Sequence, residues 1–190
     1  MIRTPRARLF AAIAVFAVTA GTLMACAAPE EEKASSLPNL TLAETKAPVQ
    51  LLRNEAANRI PAKFVDDILA TKDMSSACQT EETDPEGLVR SWRSSVRIAL
   101  KNDDSVKVDS IVKALNATFI KQGWKQGSYG AATIVELTSD TSAVVIHIST
   151  KAATPEAGAG AEIQIQTGGP CVETAGTESD EVTSLEVEEE

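Results

Sequence analysis

The sequence predicts an α+β domain in two layers, with helices on one face of a mostly antiparallel four-stranded sheet. Three observations carry this. Residues 92–100 alternate apolar and polar. Residues 108–119 repeat at helical spacing. Three further alternating segments then follow that helix. Strands grouped after a helix define this class.

The domain is read as residues 47–172. Pro48 suits the first turn of a helix. Val49, Leu52, Ala56 and Ile60 then recur at helical spacing, and Pro61 stops the run. Residues 62–77 read two ways, since Phe64-Val65 and Ile68-Leu69 fit either a longer helix or a strand. The segment 79–88, with Asp84-Pro85-Glu86-Gly87, is a loop. Trp92, Ser94, Val96, Ile98 and Leu100 alternate with Arg93, Ser95, Arg97 and Ala99, the period of a half-buried strand.

After a polar turn at 101–104, Val108, Ile111, Val112, Leu115 and Phe119 mark an amphipathic helix. Ser105 or Asp109 is its N-cap. Gly123 suits the left-handed position after the helix, which puts Trp124 on Phe119 as a core residue. Thr133–Thr138, Ala143–Ser149 and Glu162–Thr167 are the remaining strands. A tight loop at 139–142 joins the first two, and a longer one at 152–161 joins the last two. The inner face then takes Val96, Ile98, Val135, Leu137, Val144, Ile146, Ile148, Ile163 and Ile165. The outer face carries Arg93, Arg97, Glu136, His147, Glu162, Gln164 and Gln166, the candidate interaction face.

The flanks differ from the domain. Arg3, Arg6 and Arg8 precede 17 uncharged residues, Leu9 to Ala25, which end in small side chains as a secretory signal does. Leu23-Met24-Ala25-Cys26 closes the run and resembles the lipobox of bacterial lipoproteins. The resemblance implies cleavage before Cys26, a diacylglycerol on its sulfur, and a chain exported and anchored to the outer face of the cytoplasmic membrane. Two acyl chains give a stable anchor where one does not. Residues 26–46 are the lipidated Cys and a flexible linker, and 173–190 a disordered acidic tail with eight acidic residues and no basic one.

Of 190 residues, 18 are Lys or Arg and 27 Asp or Glu, a net charge of −9 that becomes −12 without residues 1–25. That balance argues against nucleic acid, which needs a basic footprint. Cys78 and Cys171 remain once Cys26 is lipidated. An even pair in an exported chain points to a disulfide, and neither has His or Cys neighbours at metal-ligand spacing. The pairing strains the topology. If strand 92–100 runs up, the helix returns and three strands alternate, then Cys171 ends at the top and Cys78 at the bottom. The ten-residue loop 79–88 must then span the difference.

Glu44-Thr45-Lys46 leading into a helix that ends Arg59-Ile60-Pro61, then Cys78, Trp92 opening a strand, Gly123-Trp124, and Gly169-Pro170-Cys171 together resemble a set of uncharacterised disulfide-containing lipoproteins of high-GC Gram-positive bacteria. The resemblance covers about 44–172. Its marks are structural, so it supports the disulfide and topology and implies no activity.

Chemistry-bearing patterns are scarce. No nucleophile elbow, His-Glu-x-x-His or phosphate loop occurs. Asp66-Asp67 and Asp103-Asp104 are adjacent pairs, whose side chains point apart, and read as surface charge. His147, with Glu136 and Glu162 on neighbouring strands, reads as a surface histidine rather than a pH sensor. Asn39 and Asn116 match a glycosylation pattern that a bacterial export signal makes irrelevant. No catalytic residue, cofactor or metal set is expected. Two readings follow: a membrane-tethered binding module with an unidentified envelope protein or ligand as partner, and an envelope hydrolase or metal-dependent enzyme with an unrecognised site. The first fits better, because catalytic residue types are so few. An apolar-ligand carrier would need a large cavity between sheet and helices, for which so small a domain leaves little room.

Overall fold

In the computed structural model, residues 37–103, 106–128, 134–154 and 159–187 are described. The expected signal segment, Cys26, Ser105 and the last three glutamates lie outside them.

Helix α1 spans Leu42–Asn58 and begins earlier than expected. Thr41 is its N-cap, and its hydroxyl accepts from the Glu44 backbone N–H while Glu44 reaches back to the Thr41 N–H. That reciprocal pair is a capping box. Pro48 therefore lies inside the helix rather than in its first turn. An interior proline costs about 3 kcal/mol. The box at one end and the burial of Leu42 and Val49 on both sides of Pro48 hold the helix through it. Residues 42–46, read as linker, are thus part of the domain.

A short 3-10 turn at Ala62–Phe64 leads into β1, Val65–Ala77, which resolves the ambiguity of 62–77 as a strand. β1 forms a hairpin with β2, Val89–Leu100. Helix α2, Val108–Lys121, follows. Its N-cap is Lys107, without a side-chain cap, and Asp109 lies in the first turn rather than at the cap. There the carboxylate still meets the positive end of the helix dipole. The other end matches expectation. Gly123 has φ +92°, its N–H donates to the Ile120 carbonyl, and the Trp124 N–H donates to the Phe119 carbonyl. Those two bonds make a Schellman ending. Trp124 meets Phe119 edge to face at 5.6 Å, half-buried rather than fully core.

β3 (Lys125–Ser128), β4 (Ile134–Ser139), β5 (Ser142–Lys151), β6 (Glu162–Gly168) and β7 (Val172–Glu173) complete the chain's strands before α3, Asp180–Val187. All pairings are antiparallel, in the order β1-β2-β6-β5-β4-β3, with β7 continuing along β2 beyond β6. The sheet has seven strands, not four. β3 also corrects the strand directions. One extra strand after α2 reverses every later one, so β6 runs against β2. β1 and β6 then end at the same edge of the sheet. Cys78 and Cys171 follow those ends and form a disulfide across 93 residues, with Cα atoms 6.1 Å apart.

Ala56, Ile111, Leu115 and Phe119 of the helices pack with Val96, Ile98, Leu137, Ile146, Ile148, Ile163 and Ile165 in one apolar cluster. A second cluster gathers Leu42, Val49, Trp92, Val144, Val172 and Val182. Val182 belongs to α3, so the segment expected to be a disordered tail is ordered through residue 187, as an amphipathic turn closing over Trp92. Glu186 of α3 accepts from both the N–H and the hydroxyl of Ser75. Among the described residues no helix is long and apolar enough to cross a membrane.

Candidate functional site

Strand pleating sends alternate side chains to opposite faces. On β2 the even-numbered residues from Trp92 to Leu100 are buried, and Arg93 and Arg97 are exposed on the other face. The antiparallel register sets their neighbours. Arg93 pairs with Gly168, Ser95 with Gln166 and Arg97 with Gln164. Gln166 in turn pairs with His147, and His147 with Glu136. All seven residues expected on the outer face therefore share it: Arg93, Arg97, Glu136, His147, Glu162, Gln164 and Gln166.

Most of the charges on this face are matched across strands. His147 Nε2 lies 3.0 Å from Glu136 Oε2. Glu162 receives Lys151 Nζ at 3.0 Å and Arg97 Nη1 at 3.9 Å. These are part-exposed pairs, each worth well under about 1 kcal/mol, and they order the side chains more than they stabilise the fold. Arg93 differs. No described residue forms an ion pair or hydrogen bond with its guanidinium. It flanks a depression of about 180 Å³ floored by the disulfide and bordered by Val145, His147 and Gly168. A Cβ on Gly168 would meet only Val145 Cγ2, at 3.7 Å, so the notch exists because glycine stands opposite Arg93. Two neighbouring depressions, of about 200 and 170 Å³, continue along the same face past Gln164 to Arg97 and Glu162.

The turn that delivers β2 to this site is held by Asp84. Its two carboxylate oxygens accept from the Leu88 and Val89 N–H groups at 2.8 Å each. The Val89 bond first, then the Leu88 bond, holds its carboxyl below the usual carboxylate range. Arg90, buried on the helix side, donates to the Ser75 and Thr177 hydroxyls.

The Asp66-Asp67 pair takes no part in this geometry. Asp66 and Asp67 are exposed on β1, and Asp67 accepts from the N–H of its own neighbour Ile68. Asp104 lies outside the described residues. Among the described residues no three His, Cys, Asp or Glu side chains gather as a metal site would require. The notch itself was not legible in sequence, because it depends on Gly168 falling opposite Arg93 in the register. The one available signal was Gly168-Gly169 directly before Pro170-Cys171.

Comparison with protein-family models, curated proteins and solved structures yields no match to this chain.

Proposed function

We propose that this chain is a lipid-anchored binding module of the cell envelope, not an enzyme, whose free sheet face receives a partner carrying a carboxylate. The arrangement is two-layered, with all three helices on one face. Export and acylation at Cys26 follow from the basic start, the uncharged run and the lipobox-like ending, as does placement on the outer face of the cytoplasmic membrane. A disulfide suits such an oxidising location. The resemblance to disulfide-containing lipoproteins of high-GC Gram-positive bacteria agrees with it.

The observation that carries the reading is Arg93, whose guanidinium no described residue pairs, beside a notch on a chain that is otherwise strongly acidic. Arg is enriched where interfaces draw most of their energy, and its planar fork matches a carboxylate. Glu136 and Glu162 on this face are already engaged, Glu136 with His147 and Glu162 with Arg97 and Lys151, which favours binding over acid–base turnover.

A photo-crosslinking residue at Ser95, in intact cells, tests the face. Capture from Ser95, none from the more exposed Leu51 on α1, and loss of capture in Arg93→Ser/Arg97→Ser and in Gly168→Val support it. Rescue by Arg93→Lys alone is expected to be poor, because a lysine lacks the fork. Capture that persists in the folded double variant, or that is the same from Leu51, overturns it. Cys26→Ser is expected to release the protein from washed membranes, and retention there overturns the anchor.

A further inference from the structure

The disulfide under the notch brings a chemistry that the rest of the outer face lacks. Cys78 and Cys171 are both half-buried, and both line the depression of about 180 Å³. Cys78 comes two residues after Ser76, which pairs with Ser91 on that face. Cys171 comes three after Gly168, which pairs with Arg93. The register therefore brings a sulfur pair, a guanidinium and a position without a side chain to one corner of the sheet. None of the residues lining the depression is Asp or Glu, although the chain carries a net charge of −9. Exposed disulfides are the labile ones, and a neighbouring cation favours the thiolate form of a sulfur beside it. The volume corresponds to about six waters at bulk density, so a ligand of roughly that many heavy atoms fits.

We infer that the notch is a thiol–disulfide exchange site for a small thiol that also carries a carboxylate. This rests on the reading of Arg93 as a carboxylate anchor and supplies the second functional group of the ligand. Arg93 holds the carboxylate while the ligand's thiolate sulfur attacks one sulfur of the Cys78–Cys171 bond. A new S–S bond forms to the ligand as the protein's own S–S bond breaks. The electron pair of the broken bond goes to the other cysteine, which leaves as a thiolate and takes up the proton that the ligand thiol gave to solvent. Ligand thiol and protein disulfide thus become a mixed disulfide and a free cysteine, with no further oxidant or reductant. Attack by that free cysteine on the mixed disulfide expels the ligand and restores the starting state.

The test uses the full chain carrying Cys26→Ser, which leaves Cys78 and Cys171 as its only cysteines. Mercaptopropionate, mercaptoethanol and cysteamine are each added, samples are quenched in acid, and the adduct and free cysteine are read by intact mass. Rates are expressed per thiolate and relative to hydroxyethyl disulfide, which removes the thiols' own reactivity. The net charge of the chain by itself favours cysteamine, the cationic thiol. The notch is expected to reverse that order, with mercaptopropionate about tenfold faster than mercaptoethanol, the scale of one charge-assisted hydrogen bond. Arg93→Ser is expected to abolish the carboxylate preference. Independently, Gly168→Val is expected to slow all three thiols by filling the notch, with melting temperature as the control for folding. Absence of adduct on the folded chain, cysteamine reacting fastest, a preference kept in Arg93→Ser, or unchanged rates in folded Gly168→Val overturns the inference. Arg93-dependent capture from Ser95 without a carboxylate preference among the thiols overturns the exchange alone. A carboxylate preference without such capture overturns the partner reading alone.

Discussion

Around Phe119, side chains from α1, α2 and four strands meet in a cluster that is apolar throughout, with Arg59 laid over its edge. Around Trp92, at the other end of the sheet, apolar side chains are mixed with polar ties. Lys46 stands 4.9 Å over the Trp92 ring, and Arg53 pairs with Asp73 at 3.0 Å. Thr167 donates to the Val49 carbonyl, Arg90 to Ser75, and the disulfide closes the edge. The first end is built from elements with a regular apolar period. The second recruits Leu42, Val172 and Val182 from segments whose composition looks like linker and tail. One region stands on burial alone, and the other needs specific long-range ties to bring its parts together.

Reducing the disulfide is the largest way to separate the two ends. A 93-residue loop corresponds to about 4–5 kcal/mol in the chain-entropy picture, an upper figure. A lower melting temperature is expected, with hydrogen exchange rising first in α3 and β7 and last in α2. Uniform loss of protection would show that the ends are one cooperative unit.

Phe119→Ala and Trp92→Ala are each expected to cost about 3–5 kcal/mol in denaturant titration, as truncations of fully buried aromatics do. They diverge under a milder change. Trp92 Nε1 is buried without a partner, so Trp92→Phe removes an unsatisfied donor and is expected to cost far less than Trp92→Ala.

Arg53→Met leaves the Asp73 carboxylate, 2% exposed, buried and unpaired, and about 3 kcal/mol of destabilisation is expected. Adding Asp73→Leu is expected to recover most of it. Failure of the second change to compensate would show that Arg53 acts through packing rather than charge.

Thr41→Ala opens the capping box and is expected to lower stability by about 1 kcal/mol, by unwinding the turn that carries Leu42. The smallest effect is in acid. Asp84 is held below its ordinary value of 3.8 in the fold. Its stabilising contribution is therefore complete above about that pH, and is lost as the pH falls through the lower folded value. Asp84→Asn is expected to flatten this part of the acid-denaturation curve, and an unchanged curve would remove Asp84 from the account.

The outer face was legible because its residues lie on β2, β4, β5 and β6, where alternation is regular and one side is buried. Arg93, Arg97, Glu136, His147 and Glu162 follow from that period alone. β1, β3 and β7 were not legible as strands for the opposite reason. β1 is an edge strand, mostly exposed, with two register irregularities, so burial imposes no alternation on it. β3 is four polar or small residues, and β7 only two.

By itself the sequence determined the periodic elements, the inner and outer faces of four strands, the Gly123-Trp124 helix ending and the pairing of two cysteines. Each of these rests on local stereochemistry or on counting, which distant residues do not alter. The tertiary structure decided the strand directions, the place of α3 over Trp92 and the notch at Gly168. These depend on which backbone lies opposite which, and a single short strand, β3, was enough to reverse them.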